Sequence, residues 1–301
     1  MPIDPDRALD YLGFVEARHE AWRNRQLGLP QPWTEEPIVA TRKFTNVFRV
    51  LDWGSQYLVR ELLDPEVDER AILLRCFLYR HTNLPSAWAA YGLAREHPVS
   101  VGDLDELLEF WMEFRRYGGK LFSGAYMIYP QSSVPGTDKI VSLMALTKRL
   151  FDPDSPDDIV PDFLEADSQR GRFAVLRRNK GVADFMSMQV LTDYGYSSQC
   201  GEDREDEFVV CGPGARRGAL ALDPSSKVEA TLEWAISAVR SSPDCPVIEP
   251  HDGHLRKPSA MDVQNTLCEF SKWVRYSQKP LPAKAYAPTH KQPPPVLPAH
   301  Y

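Results

Sequence analysis

Apolar residues recur at helical spacing along most of the chain. Phe44, Val47, Phe48, Leu51, Leu58 and Leu62 form an amphipathic pattern that predicts a helix ending before Pro65. The stretch from Ala71 to Tyr79 is too rich in Leu and Cys to read as a strand. Ser100-Val-Gly-Asp103 has the form of a capping box, and Leu104, Leu107, Leu108 and Trp111 define one face of the helix behind it. Ile140, Leu143, Leu146 and Leu150 repeat the spacing, and Phe185, Met188 and Leu191 predict a helix ending near Gly195. Two more capping boxes, Ser226-Lys-Val-Glu229 and Ser259-Ala-Met-Asp262, each precede an apolar stripe. The first stripe is Val228, Leu232, Ala235 and Val239, and the second is Val263, Leu267, Phe270 and Val274. Alternating patterns are scarce, with Phe208 to Cys211 the one short candidate strand. The fold class expected is all-α, or nearly so.

Proline and charge mark the connections. Asp152-Pro-Asp-Ser-Pro-Asp157 is an acidic linker, and residues 241–258 hold four prolines. The last 26 residues hold seven prolines, three lysines and no acid, too little apolar surface to order a core. The expected division is an N-terminal extension over 1–39, a helical domain over 40–276, and a Pro-rich flexible tail over 277–301.

Composition narrows the class. Of 301 residues, 43% are hydrophobic and 26% charged, which excludes extensive disorder. No apolar run approaches the roughly 18 residues of a membrane span, and the polar start reads as no secretory signal. Five cysteines without a CxxC pair favour reduced thiols, so a cytoplasmic protein is expected, in a bacterial host if phage-encoded. A net charge of −7 argues against indiscriminate coating of nucleic acid, yet the charges are segregated. Residues 152–167 carry seven acids and no base, and residues 170–180 carry five bases and no acid. Arg42, Lys43 and Arg49 also lie in an acid-free stretch. Such runs are either solvated faces or the walls of a basic groove for a polyanion.

Among chemical motifs, a Walker A loop, HExxH, GxSxG and GxGxxG are all missing, so neither metal nor cofactor is expected. His251 and His254 share a proline-rich loop without ligand spacing on a helix. Gly212-Pro-Gly-Ala-Arg-Arg-Gly218 is the sharpest local signal. Its glycines permit close backbone approach to a phosphate, with Arg216 and Arg217 adding charge; a tight interhelical turn is the plain alternative. Thr45, Arg49, Asp52 and Gln56 would share one helix face, as would Asp262, Glu269 and Lys272 opposite the apolar stripe of the last helix. Both faces would ordinarily be solvated. Asp193 stands out because it ends an apolar run.

These segments together carry a resemblance. Arg42-Lys-Phe-Thr-Asn46-Val-Phe-Arg49 with Leu51-Asp52, and Tyr79-Arg-His-Thr-Asn83 with Trp88, resemble the helical domain that accompanies 5-hydroxymethyluracil DNA kinases. Phe122-Ser-Gly-Ala-Tyr-Met-Ile128, Val190-Leu-Thr-Asp193, the glycine motif and Leu267-Cys-Glu-Phe-Ser-Lys272 follow in the same order. The group includes stand-alone α-glutamyl/putrescinyl thymine pyrophosphorylases, the amino acid:DNA transferases of phage thymine hypermodification. The resemblance spans roughly residues 40 to 276 and implies a bundle akin to helix-hairpin-helix DNA glycosylases, with the glycine turn as hairpin. No aspartate follows that turn where a glycosylase would place it, and no kinase module is visible, which favours the transferase branch.

The implied reaction replaces the pyrophosphate of 5-(pyrophosphoryloxymethyl)uracil in DNA with the amine of an amino acid or polyamine. The partners implied are DNA carrying the modified uracil, that amine, and a separate 5-hydroxymethyluracil DNA kinase; no membrane is involved. Asp193 is the expected general base, with Glu269 and Asp52 as further carboxylates. Arg49, Lys43 and Lys272 are expected to stabilise the leaving group. Arg42, Lys43, Asn46, Gly212, Gly214, Arg216 and Arg217 are expected to bind DNA or phosphate. Exposing the base would require flipping it. A glycosylase using Asp193, or a non-catalytic DNA-binding partner of the kinase, are the alternative readings.

Overall fold

The computed structural model describes residues 3–124, 138–250, 253–282, 284–288 and 293–301. Every regular element among them is helical apart from one isolated bridge between Ile248 and Arg256. In chain order the helices are α1 (Pro5–Gln26), α2 (Pro37–Thr41), α3 (Trp53–Glu61), α4 (Glu69–Thr82), α5 (Pro85–Gly92), α6 (Leu104–Arg116) and α7 (Lys139–Phe151). Then follow α8 (Val160–Glu165), α9 (Gln169–Arg177), α10 (Asp184–Gly195), α11 (Pro213–Leu222), α12 (Val228–Ser241) and α13 (Ala260–Ser277). The chain is therefore all-α. It clusters into two compact units, one of residues 1–53, 208–299 and 301, the other of residues 54–207 and 300.

In the first unit α13 is the central element, packed by α1, α2, α11 and α12. Helix α1 starts where Asp4 accepts the free N–H groups of Asp6 and Arg7, with Pro5 at its first position. Its buried face sets Phe14 against Phe44, Phe270 and Trp273, with ring centroids 5.3, 5.9 and 6.4 Å apart. The Tyr11 hydroxyl meets Thr266 Oγ1 at 2.6 Å, which satisfies both inside an apolar layer. The Ser259–Asp262 capping box is present at the start of α13, as is the Ser100–Asp103 box ahead of α6. Ser226 does not cap α12. Its hydroxyl is held by Asp223 at 2.5 Å, and Lys227 takes the cap position without a side-chain bond.

The glycine motif opens a helix and packs it closely on another. Gly212 caps α11, Pro213 is its first residue, and Gly214 and Gly218 lie one turn apart inside the helix. None of the three has positive φ. A methyl on Gly218 would run into the carbonyl of Leu267, and one on Gly214 into the Cys268 sulfur. Gly214 and Gly218 serve close approach of α11 to α13, while Gly212 and Pro213 form the start of α11, which no side chain caps. The segment 208–211 ahead of it is irregular rather than a strand.

The second unit is built on α4, every residue of which from Ala71 to Thr82 is buried. That explains why no polar face was legible there, since a helix enclosed on all sides shows no amphipathic period. Helices α7, α8 and α10 pack on it, and Trp88 and Trp111 meet edge to face at 5.2 Å beneath α5 and α6. The acidic run is partly paired: Arg70 grips Asp158 with two bonds of 2.9 and 2.8 Å, Arg149 pairs with Asp157, and Arg178 of the basic run with Asp162. Arg177 pairs with Asp184. Of the five bases in 170–180, Arg177 and Arg178 are engaged in ion pairs.

Candidate functional site

The expected helix from Phe44 does not form. Residues 43–46 are irregular, Arg49–Leu51 is a single 3-10 turn, and α3 begins only at Trp53. Phe44, Thr45, Val47, Phe48 and Val50 are aromatic or β-branched, poor helix formers with backbone groups that need partners elsewhere. The polar stripe of α13 supplies them. Glu269 Oε2 accepts the Thr45 N–H at 2.9 Å, Asn265 Nδ2 donates to Asn46 O at 3.1 Å, and Asp262 Oδ1 accepts the Arg49 N–H at 2.7 Å. The segment runs antiparallel to the helix, ending with Arg42 stacked 4.8 Å over Tyr276. Seven extended steps reach about 23 Å and fourteen helical ones about 21 Å, so the two ladders stay in register. Asp262 and Glu269 are accordingly 1% and 6% exposed, where a solvated face had been the ordinary expectation.

Around this seam the charges converge. Asp52 is half-buried and accepts the Asn46 N–H at 2.7 Å. Burial pushes its carboxyl up to about 7; the Asn46 bond opposes this, and the nearby Glu269 charge adds to it. Glu269 pairs with Lys272 Nζ at 2.5 Å. Between the carboxylates lies Arg18 of α1, donating to Thr45 O at 2.7 Å and to Asn46 Oδ1 at 2.5 Å. Burial lowers its pKa, and both Asp52 and Glu269 pull it back up. Arg49, 4% exposed, also acts electrostatically on Asp52. Asp262 is a fastener: it holds Ser259 N–H at 3.0 Å and Arg256 Nη1 at 3.2 Å besides Arg49.

Of the residues singled out from sequence, Arg42, Lys43, Asn46, Arg49, Asp52, Glu269 and Lys272 therefore lie along one seam of the first unit. Thr45, Arg49, Asp52 and Gln56 share no helix face. Arg216 and Arg217 are exposed on α11, where Arg216 Nε donates to Cys211 O at 3.2 Å. Asp193 belongs to the second unit and is 0% exposed. Both its oxygens are taken by Arg80, at 2.6 Å each, and Arg80 Nη1 reaches Asn83 Oδ1 at 2.8 Å. Asn83, left-handed at φ 48°, closes α4 and donates to Ser123 Oγ at 3.1 Å. The Tyr79–Asn83 motif is thus a buried frame around one ion pair. Part of the Phe122–Ile128 motif, from Ala125 onward, lies outside the described residues, as does His251. Among the described residues no group of three or more His, Cys, Asp or Glu is placed to hold a metal ion, and no helix is long and apolar enough to cross a membrane.

Sequence reasoning missed Arg18, Asn265 and Arg80. Arg18 had a signal, since Tyr11, Phe14 and Val15 followed by Arg18 make an amphipathic start behind Asp4-Pro5. Arg80 stood inside the Tyr79–Asn83 motif, but as one of three arginines on α4 it carried no mark of its pairing with Asp193.

A family model described as the helical domain of 5-hmdU DNA kinase matches residues 7–281. The chain belongs to this family. The match includes most of α1, and so Arg18, together with the whole Arg42–Asp52 segment and α13. One relative in the 5-hmdU DNA kinase family is the 5-hmdU DNA kinase of Bacillus phage SP10, 29% identical over 124 residues. That stretch is 39% of this chain and 19% of the phage protein. No solved structure matches the chain.

Proposed function

We propose that this chain modifies thymine-derived bases in DNA, replacing the pyrophosphate of 5-(pyrophosphoryloxymethyl)uracil with the amine of an amino acid or polyamine. The observation that carries this reading is the meeting of two carboxylates, Asp52 and Glu269, with Arg18, Arg49 and Lys272 along one seam. Family membership supports a role in hypermodification of DNA. A helix-hairpin-helix ancestry belongs to the same proposal and rests on the all-helical architecture.

The chemistry follows from these groups. Asp52, with a carboxyl near neutrality, takes a proton from the incoming ammonium, so that the nitrogen lone pair is free. The C–N bond forms at the exocyclic methylene as its C–O bond breaks, and pyrophosphate leaves with the electron pair. Arg18, Arg49 and Lys272 offset the growing phosphate charge, while Glu269 orients Lys272. Asp193 was the base expected from sequence. It is fully buried with both oxygens held by Arg80, and we assign it to fixing Arg80.

The test is incubation of pyrophosphorylated hydroxymethyluracil DNA with a mixture of amines, then digestion to nucleosides and mass spectrometry. An amine-bearing thymine nucleoside with release of pyrophosphate is the expected result. Abasic sites, or tight DNA binding with no turnover, would overturn it.

A further inference from the structure

The proline-rich tail lies against the reactive seam rather than away from it. The Tyr286 N–H donates to Thr41 O at 3.1 Å, and Gln31 Nε2 donates to Tyr286 O at 3.2 Å. Upstream, Arg42 Nη2 reaches Pro280 O at 2.9 Å. These bonds hold an irregular segment beside the start of the Arg42–Asp52 seam. The Tyr286 ring is 37% exposed, with Lys43 Nζ 5.8 Å from its centroid. Its phenol also lies close enough to Arg18 and Arg25 to act on both electrostatically. Tyr276, beneath Arg42, continues the row of aromatic rings and cations.

The sequence around this ring is rich in bases. Residues 271–288 hold Lys272, Arg275, Lys279 and Lys284 and no acid, and no acid lies between Arg42 and Arg49. An exposed ring flanked by cations offers a base a stacking surface and its phosphates a counter-charge, the combination that binds an unstacked nucleic acid strand.

We propose that Tyr286 and the tail segment around it form one wall of the site, stacking against the extruded base or its neighbour while Arg42 and Lys43 hold the adjoining phosphates. This rests on the DNA reading above. It goes beyond that reading by assigning substrate contact to the tail, and to an aromatic residue outside the matched family region, which ends at 281.

The test uses the full chain and oligonucleotides, duplex and single-stranded, carrying 5-iodouracil at the target position. Ultraviolet crosslinks mapped by mass spectrometry are expected at Tyr286. Tyr286→Ala should weaken binding about tenfold without altering its salt slope, and Tyr286→Phe should bind like the wild type because the ring does the stacking. Lys43→Ala should lower the salt slope by about one instead. Melting of each variant checks that the exposed changes leave the fold intact. Unchanged affinity in Tyr286→Ala, or crosslinks confined to other segments, overturns the assignment while the transfer chemistry stands. If the wild type binds neither oligonucleotide, the DNA reading itself falls and takes this wall with it.

Discussion

Two aspartates illustrate how the same side chain is set to different tasks by its neighbours. Asp193 is fully enclosed, with both oxygens engaged by one guanidinium, whereas Asp52 is half-open with one backbone bond and a second carboxylate nearby. Replacing each by Asn separates structure from chemistry. Asp193→Asn leaves the Arg80 charge without its counter-ion in a buried site, and a loss of about 3–5 kcal/mol in urea unfolding is expected. Asp52→Asn keeps an oxygen for the Asn46 N–H yet removes the basic group, so amine transfer should drop by about 10²- to 10⁴-fold with the fold preserved. In the wild type the rate should rise with pH through about 7 as Asp52 loses its proton. Full activity in Asp52→Asn would remove it as the base. The sequence marked both aspartates, but it ranked Asp193 first. Its lodging in an apolar helix was visible, and its partner 113 residues away on α4 was not.

At the scale of elements, the seam depends on α13 having two occupied faces. One takes the irregular Arg42–Asp52 segment through Asp262, Asn265 and Glu269, and another takes α11 through Gly214 and Gly218. Gly218→Ala collides with the Leu267 backbone, which cannot move without bending α13, and a loss of about 3 kcal/mol or more is expected. Gly214→Ala meets the Cys268 side chain, and the second change Cys268→Ala should restore part of the stability because it removes the obstructing sulfur. Comparable chemical melts of Gly218→Ala and wild type would refute the close-packing role. Helices with a polar face or a cap, α6, α7, α12 and α13, were legible from spacing alone. The Phe44–Leu62 pattern misled because apolar residues at helical spacing say which side chains are buried, while the backbone there finds its bonds on another element. In the glycine motif the packing of Gly214 and Gly218 on α13 was not legible, since close approach to a ligand and to a neighbouring helix ask for the same residue.

Across the whole molecule, buried titrating groups set an asymmetric response to pH. Burial pushes His19, His81 and His97 down to about 4. Unfolding lets them bind protons below about 6.5, so their contribution is present above that pH and lost as pH falls toward 4. Asp52 works in the opposite sense. Its folded carboxyl keeps a proton up to about 7, so it costs stability as pH rises from about 4 through that value. Three groups against one predict a melting temperature that falls from pH 7.5 to pH 5. The fall should be steeper in Asp52→Asn, which should also melt above the wild type at pH 7.5. A melting temperature flat across this range in both proteins would contradict the burial of the imidazoles.

The first unit is made of both ends of the described chain, with residues 54–207 lying between its two halves in sequence. Synthesis on the ribosome is vectorial, so Arg18 and Asp52 emerge early, and Glu269 and Lys272 follow only after the whole intervening unit. An unfinished chain therefore holds half of the charge cluster and none of its α13 scaffold. The aromatic face of α1, with Tyr11 and Phe14, lacks its partners Phe270 and Trp273 until they emerge. In a series of ribosome-arrested chains of increasing length, resistance to protease is expected over 54–207 before it appears over 1–53; simultaneous protection would show that the ends assemble on a different schedule.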